Sequence, residues 1–396
     1  MFYYLCILFI CIIICSIAYI RVKLGFWAIQ PVFHVYNIGY MFNPPGIIDD
    51  TLPKKNKYTN FKNIETIVYS NLSPLNKQRI INIIKLNYLQ NKENTFSPTE
   101  DNIFPYFNNH NDKSFFSVYT EDTLISDLKK GSIIEDKKTI GIITGRPITI
   151  HINKDNASFD AYYMDYLCVD QLNRKKGIAA QLIQTHQYNQ RHLNKKIVVS
   201  LFKREEVLTG IVPLTVYSTY GFPVTTWTKP RDLSAEYGTL LEINSQNIRI
   251  LLDFIAESRS KFEIQINTES TNIIELIKTK NIFIYTILSP NHTIKAAYFY
   301  RKSCTYIKKG FEVLSCFASI SNCADALFIQ GFKISFWKIS AENNFGFSAI
   351  EEISDNHVII NNLKLQTKPL ITSPTAYFFY NFAYSTFHSS KVFIII

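Results

Sequence analysis

The segment Tyr163-Met164-Asp165-Tyr166-Leu167-Cys168-Val169 reads as an apolar strand, and it leads into Arg174-Lys175-Lys176-Gly177-Ile178-Ala179-Ala180 and a helical stretch ending near Arg191. A strand that feeds a cationic, glycine-containing turn and then a helix aims free main-chain N–H groups and a positive dipole end at whatever occupies the turn. Such a turn is a cradle for a pyrophosphate. Gly177 lets the main chain approach an anion with no Cβ in the way, and the small Ala179 and Ala180 let the first helical turn pack close to the strand. The arrangement fits an acyl-CoA site. The same pattern also describes an ordinary strand, solvated basic loop and helix, so the rest of the chain has to separate the two readings.

A chain of 396 residues suggests two domains of roughly 150–200 residues each. Its 47% hydrophobic content is ample for packed cores. A net charge of +10 and a pI near 9.0 favour anionic partners: nucleic acid, a membrane surface or a phosphate-bearing ligand. Lys and Arg are spread along the chain, with no long cluster beyond the 174–176 triplet and pairs such as Lys54-Lys55, which argues against a nucleic-acid partner. Of seven cysteines, Cys6, Cys11 and Cys15 lie in the apolar N-terminus, and no CxxC pair or Cys/His cluster has metal spacing. Neither a metal nor a disulfide framework is expected.

Residues 1–20 carry no charge, and Arg21 and Lys23 follow at once. That length spans a hydrocarbon core of ~30 Å, and the positive flank would keep the rest of the chain in the cytoplasm. The expectation is a single-pass membrane anchor. The rival is a cleaved signal peptide, since Ser16-Ile17-Ala18 resembles a small-residue cleavage site, although the stretch before the apolar run has no positive charge.

The elements that must position the turn follow in order. Helical spacing of apolar residues covers 74–90; clusters of Asn, Asp, Ser and Pro over 91–114 read as a mobile loop. Thr120, followed by Glu121 and Asp122, reads as the N-cap of a short helix through Leu124 and Leu128. Strands are expected at 139–144, 148–152, 159–169 and 196–202, and an interdomain crossing at 225–245. Beyond it come helices near 247–257 and 270–280, strands at 282–288 and 294–300, a helix near 322–330 and a strand at 332–339. The recurrence suggests an internal duplication of one α/β unit.

Several islands, in order, resemble the glycylpeptide N-myristoyltransferases, whose two halves each have the fold of the GNAT acyltransferase superfamily. Phe26-Trp27-Ala28-Ile29-Gln30-Pro31-Val32 resembles that family's FWxTQPV segment. Ile148-Thr149-Ile150-His151-Ile152, Met164-Asp165-Tyr166-Leu167-Cys168-Val169 and Leu172-Asn173-Arg174-Lys175-Lys176-Gly177-Ile178-Ala179 resemble its NIHI, INFLCV and LRSKRVAP run. Lys295-Ala296-Ala297-Tyr298 with Ala324-Asp325-Ala326-Leu327, and Phe379-Tyr380-Asn381-Phe382 with a short tail, echo its second half. The resemblance spans residues 25–396. It implies an α/β (α+β) chain of two tandem GNAT-like acyltransferase domains, with mixed sheets flanked by helices, and these follow the N-terminal transmembrane helix read from residues 1–20. The expected divisions are an anchor at 1–20, an acyl-CoA-binding domain at 21–225 and a peptide-binding domain at 226–396.

The resemblance also implies an activity: transfer of a myristoyl group from myristoyl-CoA, as co-substrate with no cofactor, to the N-terminal glycine amine of proteins. Negative charge that develops on the thioester oxygen is met in the family by two main-chain amides, which map to Tyr166 and Leu167. The 174–179 turn (Arg174, Lys175, Lys176, Gly177, Ile178, Ala179) would hold the CoA phosphates, with Phe26 and Trp27 near the adenine end. The family's base is its own C-terminal carboxylate, here that of Ile396, and Tyr217 maps to a residue that contacts peptide. Asp165 stands where the family usually has Asn, which places an ionisable group beside the oxyanion site. The acidic loop that receives peptide has no clear counterpart around 91–94, and the threonine that meets the incoming amine has no single match between Ser200 and Thr209. Two other readings stay open: a GNAT-type enzyme of different donor or acceptor, and a catalytically degenerate acyl-CoA-binding membrane protein.

Overall fold

The computed structural model describes residues 2–89, 94–127, 132–205, 210–224, 227–307 and 310–396. Residues 91–93, where an acidic loop has no clear counterpart in the sequence, and residues 206–209, within the stretch Ser200 to Thr209, lie outside the described residues. The chain opens with α1 (Phe2–Leu24), α2 (Ile38–Phe42), β1 (Gly46–Ile47), β2 (Ile64–Val68), α3 (Pro74–Asn87), β3 (Asn94–Phe96) and α4 (Glu100–Ile103). There follow β4 (Phe115–Asp127), β5 (Ser132–Ile152), β6 (Ala157–Val169), α5 (Ile178–Leu193), β7 (Val199–Glu205) and β8 (Thr215–Pro223). The second half begins with β9 (Thr239–Glu242), α6 (Ile248–Glu257), β10 (Ile264–Asn267), α7 (Ser270–Lys278), β11 (Ile282–Leu288) and β12 (Ile294–Ile307). It closes with β13 (Phe311–Ser321), α8 (Asp325–Asn343), β14 (Phe345–Glu351), α9 (Asn356–Gln366), β15 (Ile371–Tyr380), β16 (Phe382–Ala383) and β17 (Val392–Ile395).

One mixed sheet runs β17-β10-β5-β6-β7-β15-β8-β14-β13-β12-β11-β9, with β2, β3 and β4 attached beside it. The same unit occurs twice. An antiparallel pair, β5–β6, is followed by α5 and the parallel strand β7; another, β12–β13, is followed by α8 and the parallel strand β14. The strand after each unit crosses to the other: β8 pairs with β14, β15 pairs with β7, and β8 and β15 pair with each other. The sheet therefore runs unbroken across the division drawn at 225/226. The mixed sheet flanked by helices is the α/β architecture expected from the sequence.

Three local expectations are corrected. The helix expected after Thr120 is the extended arm of β4, where Glu121 faces Lys138 and Asp122 faces Lys137 on β5. Opposite charges paired across two strands outweigh a helix-start signal read from one of them. The helix near 322–330 and the strand at 332–339 are a single helix, α8, with Phe328, Phe332, Phe336 and Ile339 on its buried face. Gly331, in the middle of this helix, serves close packing: a Cβ there would come within 2.5 Å of Tyr298 Oη. The 91–114 segment, read as a mobile loop, contains β3, α4 and a 3-10 turn at Phe104–Phe107, whose Phe104, Tyr106 and Phe107 are buried.

Local sequence explains the elements around the site. Ser73 caps α3 by accepting from the Asn76 N–H at 3.2 Å, Pro74 occupies the first turn, and Ile80, Ile81, Ile83 and Ile84 face the core. In α1 the stretch Phe2–Tyr19 has no buried residue, and among the described residues it is the one helix long and apolar enough to cross a membrane.

The tail alternates between two cores. In β17, Val392, Ile394 and Ile396 join a cluster with Tyr163, Tyr217 and Tyr377, while Phe393 and Ile395 join the cluster of Phe254, Phe262 and Phe299. β17 pairs in parallel with β10, and Phe393 stacks on Phe262 at 5.2 Å. Phe393→Ala should thus destabilise the protein by about 3–5 kcal/mol in urea unfolding; a loss below about 1 kcal/mol would mean the tail is not docked this way.

Candidate active site

β6 and β7 are hydrogen-bonded in parallel register only from Ala161↔Val199 to Met164↔Phe202. Beyond that point β6 continues to Val169 and β7 to Glu205, and the two strands separate. A cavity of about 580 Å³ fills the gap. Its walls are Tyr163–Leu167 from β6, Phe202–Glu205 from β7, and Ala179, Ala180 and Ile183 from the first turns of α5. Phe26 and Trp27 also line it; Trp27 stacks on Phe202 at 5.7 Å and Phe26 meets Tyr58 edge-on at 5.0 Å. Gln30 ties their segment down by donating to Gln184 at 3.2 Å and accepting from the Tyr380 hydroxyl at 2.7 Å.

At the gap β6 is bulged. Ile142 pairs with Cys168 and Thr144 with Asp165, so Tyr166 and Leu167 together stand opposite Ile143. Tyr166 adopts a left-handed conformation, φ 48°. That costs about 1–2 kcal/mol for a residue with a Cβ, and it is offset by packing of the Tyr166 ring on Tyr88 at 5.2 Å and Phe107 at 6.2 Å. The Tyr166 N–H donates to Asp165 Oδ1 at 2.8 Å. Leu167 is 39% exposed and lines the cavity.

The basic turn follows. Gly177 is the N-cap of α5 at φ 77°, and Lys175 is also left-handed at φ 65°. A Cβ on Gly177 would meet nothing within 4 Å, so glycine is required by the backbone angle rather than by space. Arg174 directs its guanidinium to main-chain carbonyls, Nε to Val169 O at 3.3 Å and Nη2 to Asn87 O at 3.0 Å. Lys176 Nζ donates to Asn173 Oδ1 at 2.7 Å, while Lys175 is exposed. Ile178 points into the core with Leu182, and Ala179 lines the cavity. The structure thus brings Phe26, Trp27, Tyr166, Leu167 and Ala179 around one cavity, with 174–177 next to its α5 end.

Tyr217 and Ile396 lie deeper, against a buried charge cluster. The Tyr217 hydroxyl donates to Glu351 Oε2, which also accepts from Lys203 Nζ at 3.1 Å. Arg301 Nη2 lies 3.4 Å from Glu351 Oε1, and its Nη1 donates to the main-chain oxygen of Ile396 at 3.4 Å. Burial pushes the Glu351 carboxyl up, but the Lys203 and Arg301 cations outweigh it and hold the group below the usual carboxylate range. Lys203 also lines the cavity, so the chain of contacts runs from the gap to the end of β17.

Sequence reasoning missed Arg146, Lys203, Arg301, Glu351 and His186. The available signal was a lone charge inside an apolar strand, as with Arg146 between Ile140 and Ile152 and Glu351 at the end of Phe345–Glu351. Arg146 is 2% exposed and its Nη1 meets Asp165 Oδ2 at 3.3 Å. Burial, reinforced by the Asp165 carboxylate, pushes the Tyr88, Tyr163 and Tyr166 hydroxyls well above their ordinary value, so none is a phenolate at neutral pH. Burial raises the Cys168 thiol to about 12, which removes it as a nucleophile. Among the described residues no group of three or more His, Cys, Asp or Glu side chains is placed to hold a metal ion.

His186 backs the cavity, bonded through Nδ1 to Ser117 Oγ at 2.8 Å and through Nε2 to Gln190 Oε1 at 3.1 Å. Burial lowers its pKa to about 4, and that of His110 likewise. The unfolded chain takes up these protons near pH 6.5 and the folded one near pH 4. Stability is therefore full above pH 6.5 and falls between 6.5 and 4, by up to about 3 kcal/mol for His186. Urea midpoints measured across that range should fall with pH, and His186→Gln should flatten part of the slope; an equal slope in the variant would contradict the assignment.

No protein-family model matches this sequence, and no curated protein matches it. Solved structures match the fold. Saccharomyces cerevisiae N-myristoyltransferase with bound myristoyl-CoA aligns with a TM-score of 0.69 and 14% identity, over 94% of this chain and 98% of the other. Another structure of that enzyme with bound myristoyl-CoA aligns at 0.70 and 13%, over 94% and 93% of the two chains. One with bound myristoyl-CoA and inhibitors aligns at 0.71 and 13%, over 94% and 95%. At these identities the likeness is one of fold: nearly the whole chain is built as the N-myristoyltransferases are.

Proposed function

We propose that the chain is a membrane-anchored protein N-myristoyltransferase, which moves the myristoyl group of myristoyl-CoA onto the N-terminal glycine amine of a protein. The observation that carries this reading is the cavity between the diverging β6 and β7, bordered by the Tyr166–Leu167 bulge and the first turn of α5. Likeness in fold to an enzyme solved with myristoyl-CoA supports the choice of donor.

In this reading the CoA phosphates lie along the 174–179 turn, where the α5 N-terminus and Lys175 favour negative charge, and Phe26 and Trp27 close one side of the donor site. The amine nitrogen attacks the thioester carbonyl carbon. A C–N bond forms, the C–S bond breaks, and the proton that the attacking nitrogen sheds passes to the departing sulfur, so that CoA leaves as its thiol. A main-chain N–H donor at the bulge stabilises the oxyanion, a contribution worth about 10²–10³ in rate. The glycine amine, with a pKa of about 7.7–8.0, must first lose a proton. The proposed base is the carboxylate of Ile396, toward whose main-chain oxygen Arg301 donates and which the surrounding cluster of Ile394, Tyr217 and Tyr377 shields from water. Peptide passes near Tyr217. α1 holds the catalytic part at a membrane, with the Arg21 and Lys23 flank on the cytoplasmic side.

Full-length protein in detergent, given myristoyl-CoA and a peptide that begins with glycine, should yield the myristoylated peptide by mass spectrometry and no product from an alanine-starting control. Bound myristoyl-CoA without transfer would point to a lipid-binding relative, and transfer to another amine to a GNAT-type enzyme of different acceptor. Removal of Ile395 and Ile396 should abolish transfer while acyl-CoA affinity stays within about threefold. Unchanged transfer would take the carboxylate out of the mechanism.

A further inference from the structure

We infer that Arg146 is a positioning residue for acyl transfer: through Asp165 it fixes the bulge so that the Leu167 N–H, not the Tyr166 N–H, is the donor offered to the reacting carbonyl. The inference rests on the acyl-transfer reading and adds a residue and a division of labour to it.

Arg146 lies on β5 opposite Tyr163, and its guanidinium carbon sits 4.8 Å from the Tyr163 ring, 5.0 Å from Tyr106 and 5.7 Å from Phe107. A cation caged this way needs a counter-charge. Asp165 Oδ2 supplies it at 3.3 Å. The other oxygen, Oδ1, receives the Tyr166 N–H at 2.8 Å and the Tyr88 hydroxyl at 3.3 Å. The carboxylate is thus held by three donors, with the Arg146 guanidinium offsetting part of its charge.

The same contacts decide which amide is available. Tyr166 has given its N–H to Asp165, and that bond holds the residue at φ 48°. Leu167 follows it in the bulge, lines the cavity, and has no register partner on β5 or β7 among the described residues. Without the Arg146 charge, Asp165 would be a half-buried carboxylate free to turn toward solvent, and Tyr166 would lose the bond that sets the bulge.

The test uses full-length protein with Arg146→Met, Asp165→Asn and the double variant. Three quantities are read: kcat with a glycine peptide, Kd for a non-hydrolysable thioether analogue of myristoyl-CoA, and amide hydrogen exchange of the 163–169 segment. Arg146→Met should lower kcat about 100-fold with Kd within about threefold, and speed exchange in that segment. The double variant should recover at least about tenfold in kcat and regain protection, because Asn keeps an acceptor for the Tyr166 N–H and needs no counter-charge. If Arg146→Met does not fold, Arg146→Lys replaces it, with a loss of about tenfold in kcat expected from the missing planar fork. A double variant as slow as the single one, or unchanged exchange in the single variant, overturns the positioning role. Wild-type protein that shows no transfer overturns the donor assignment together with the reading it rests on, while the exchange data still decide whether Arg146 sets the bulge.

Discussion

Two parallel strands that pair over four residues and then part set the terms for the rest of the molecule. Where β6 and β7 diverge after Met164 and Phe202, main-chain groups lose their partners in the ladder, and a buried group without a partner is costly. The bulge at Tyr166 and Leu167, the Asp165 side chain that takes up one amide, and the aromatic rings around them answer that cost. The gap they keep open is lined mainly by apolar side chains, with Asp165 near the bulge and Lys203, Arg204 and Glu205 on the β7 side.

The exchange of β8 and β15 holds this opening rigid. Each repeated unit ends on a strand supplied by the other, so β7, on one side of the gap, is braced by β15 from the far half of the chain. β17 then runs beside β10 with a core on each of its faces, which places the end of the chain against Arg301. Glu351, Arg301 and Lys203 make a buried charge cluster whose members come from three strands. Such clusters tolerate little movement, because breaking one partner leaves an unmatched charge in a medium of low polarity.

The strand, turn and helix over 159–193 were legible because the signals are local: an apolar run, a glycine with basic neighbours, then a helical period. The duplicated unit was legible only in part: a strand at 294–300 and a helix near 322–330 were expected, whereas β13 and β14 were not, and the strand expected at 332–339 belongs to α8. The β4 arm was misread because Glu121 and Asp122 carry a helix-start pattern, and only their partners Lys137 and Lys138 on β5 show them to be cross-strand pairs. In α8, the apolar residues after 331 were read as a separate strand, although Phe332, Phe336 and Ile339 continue the buried face that begins at Phe328. The charged side chains of the site were out of reach altogether: Lys203 meets Glu351 across 148 positions, and Arg301 meets Ile396 across 95. Spacing along a chain carries no trace of such contacts.

The measurement that bears most directly on this account is a crystal structure of the full chain with a thioether analogue of myristoyl-CoA. The account predicts the acyl chain between β6 and β7 beside Phe202, the phosphates at the 174–179 turn, and the analogue's oxygen about 3 Å from the Leu167 N–H. An analogue bound elsewhere, with the gap between the two strands closed or empty, would contradict it.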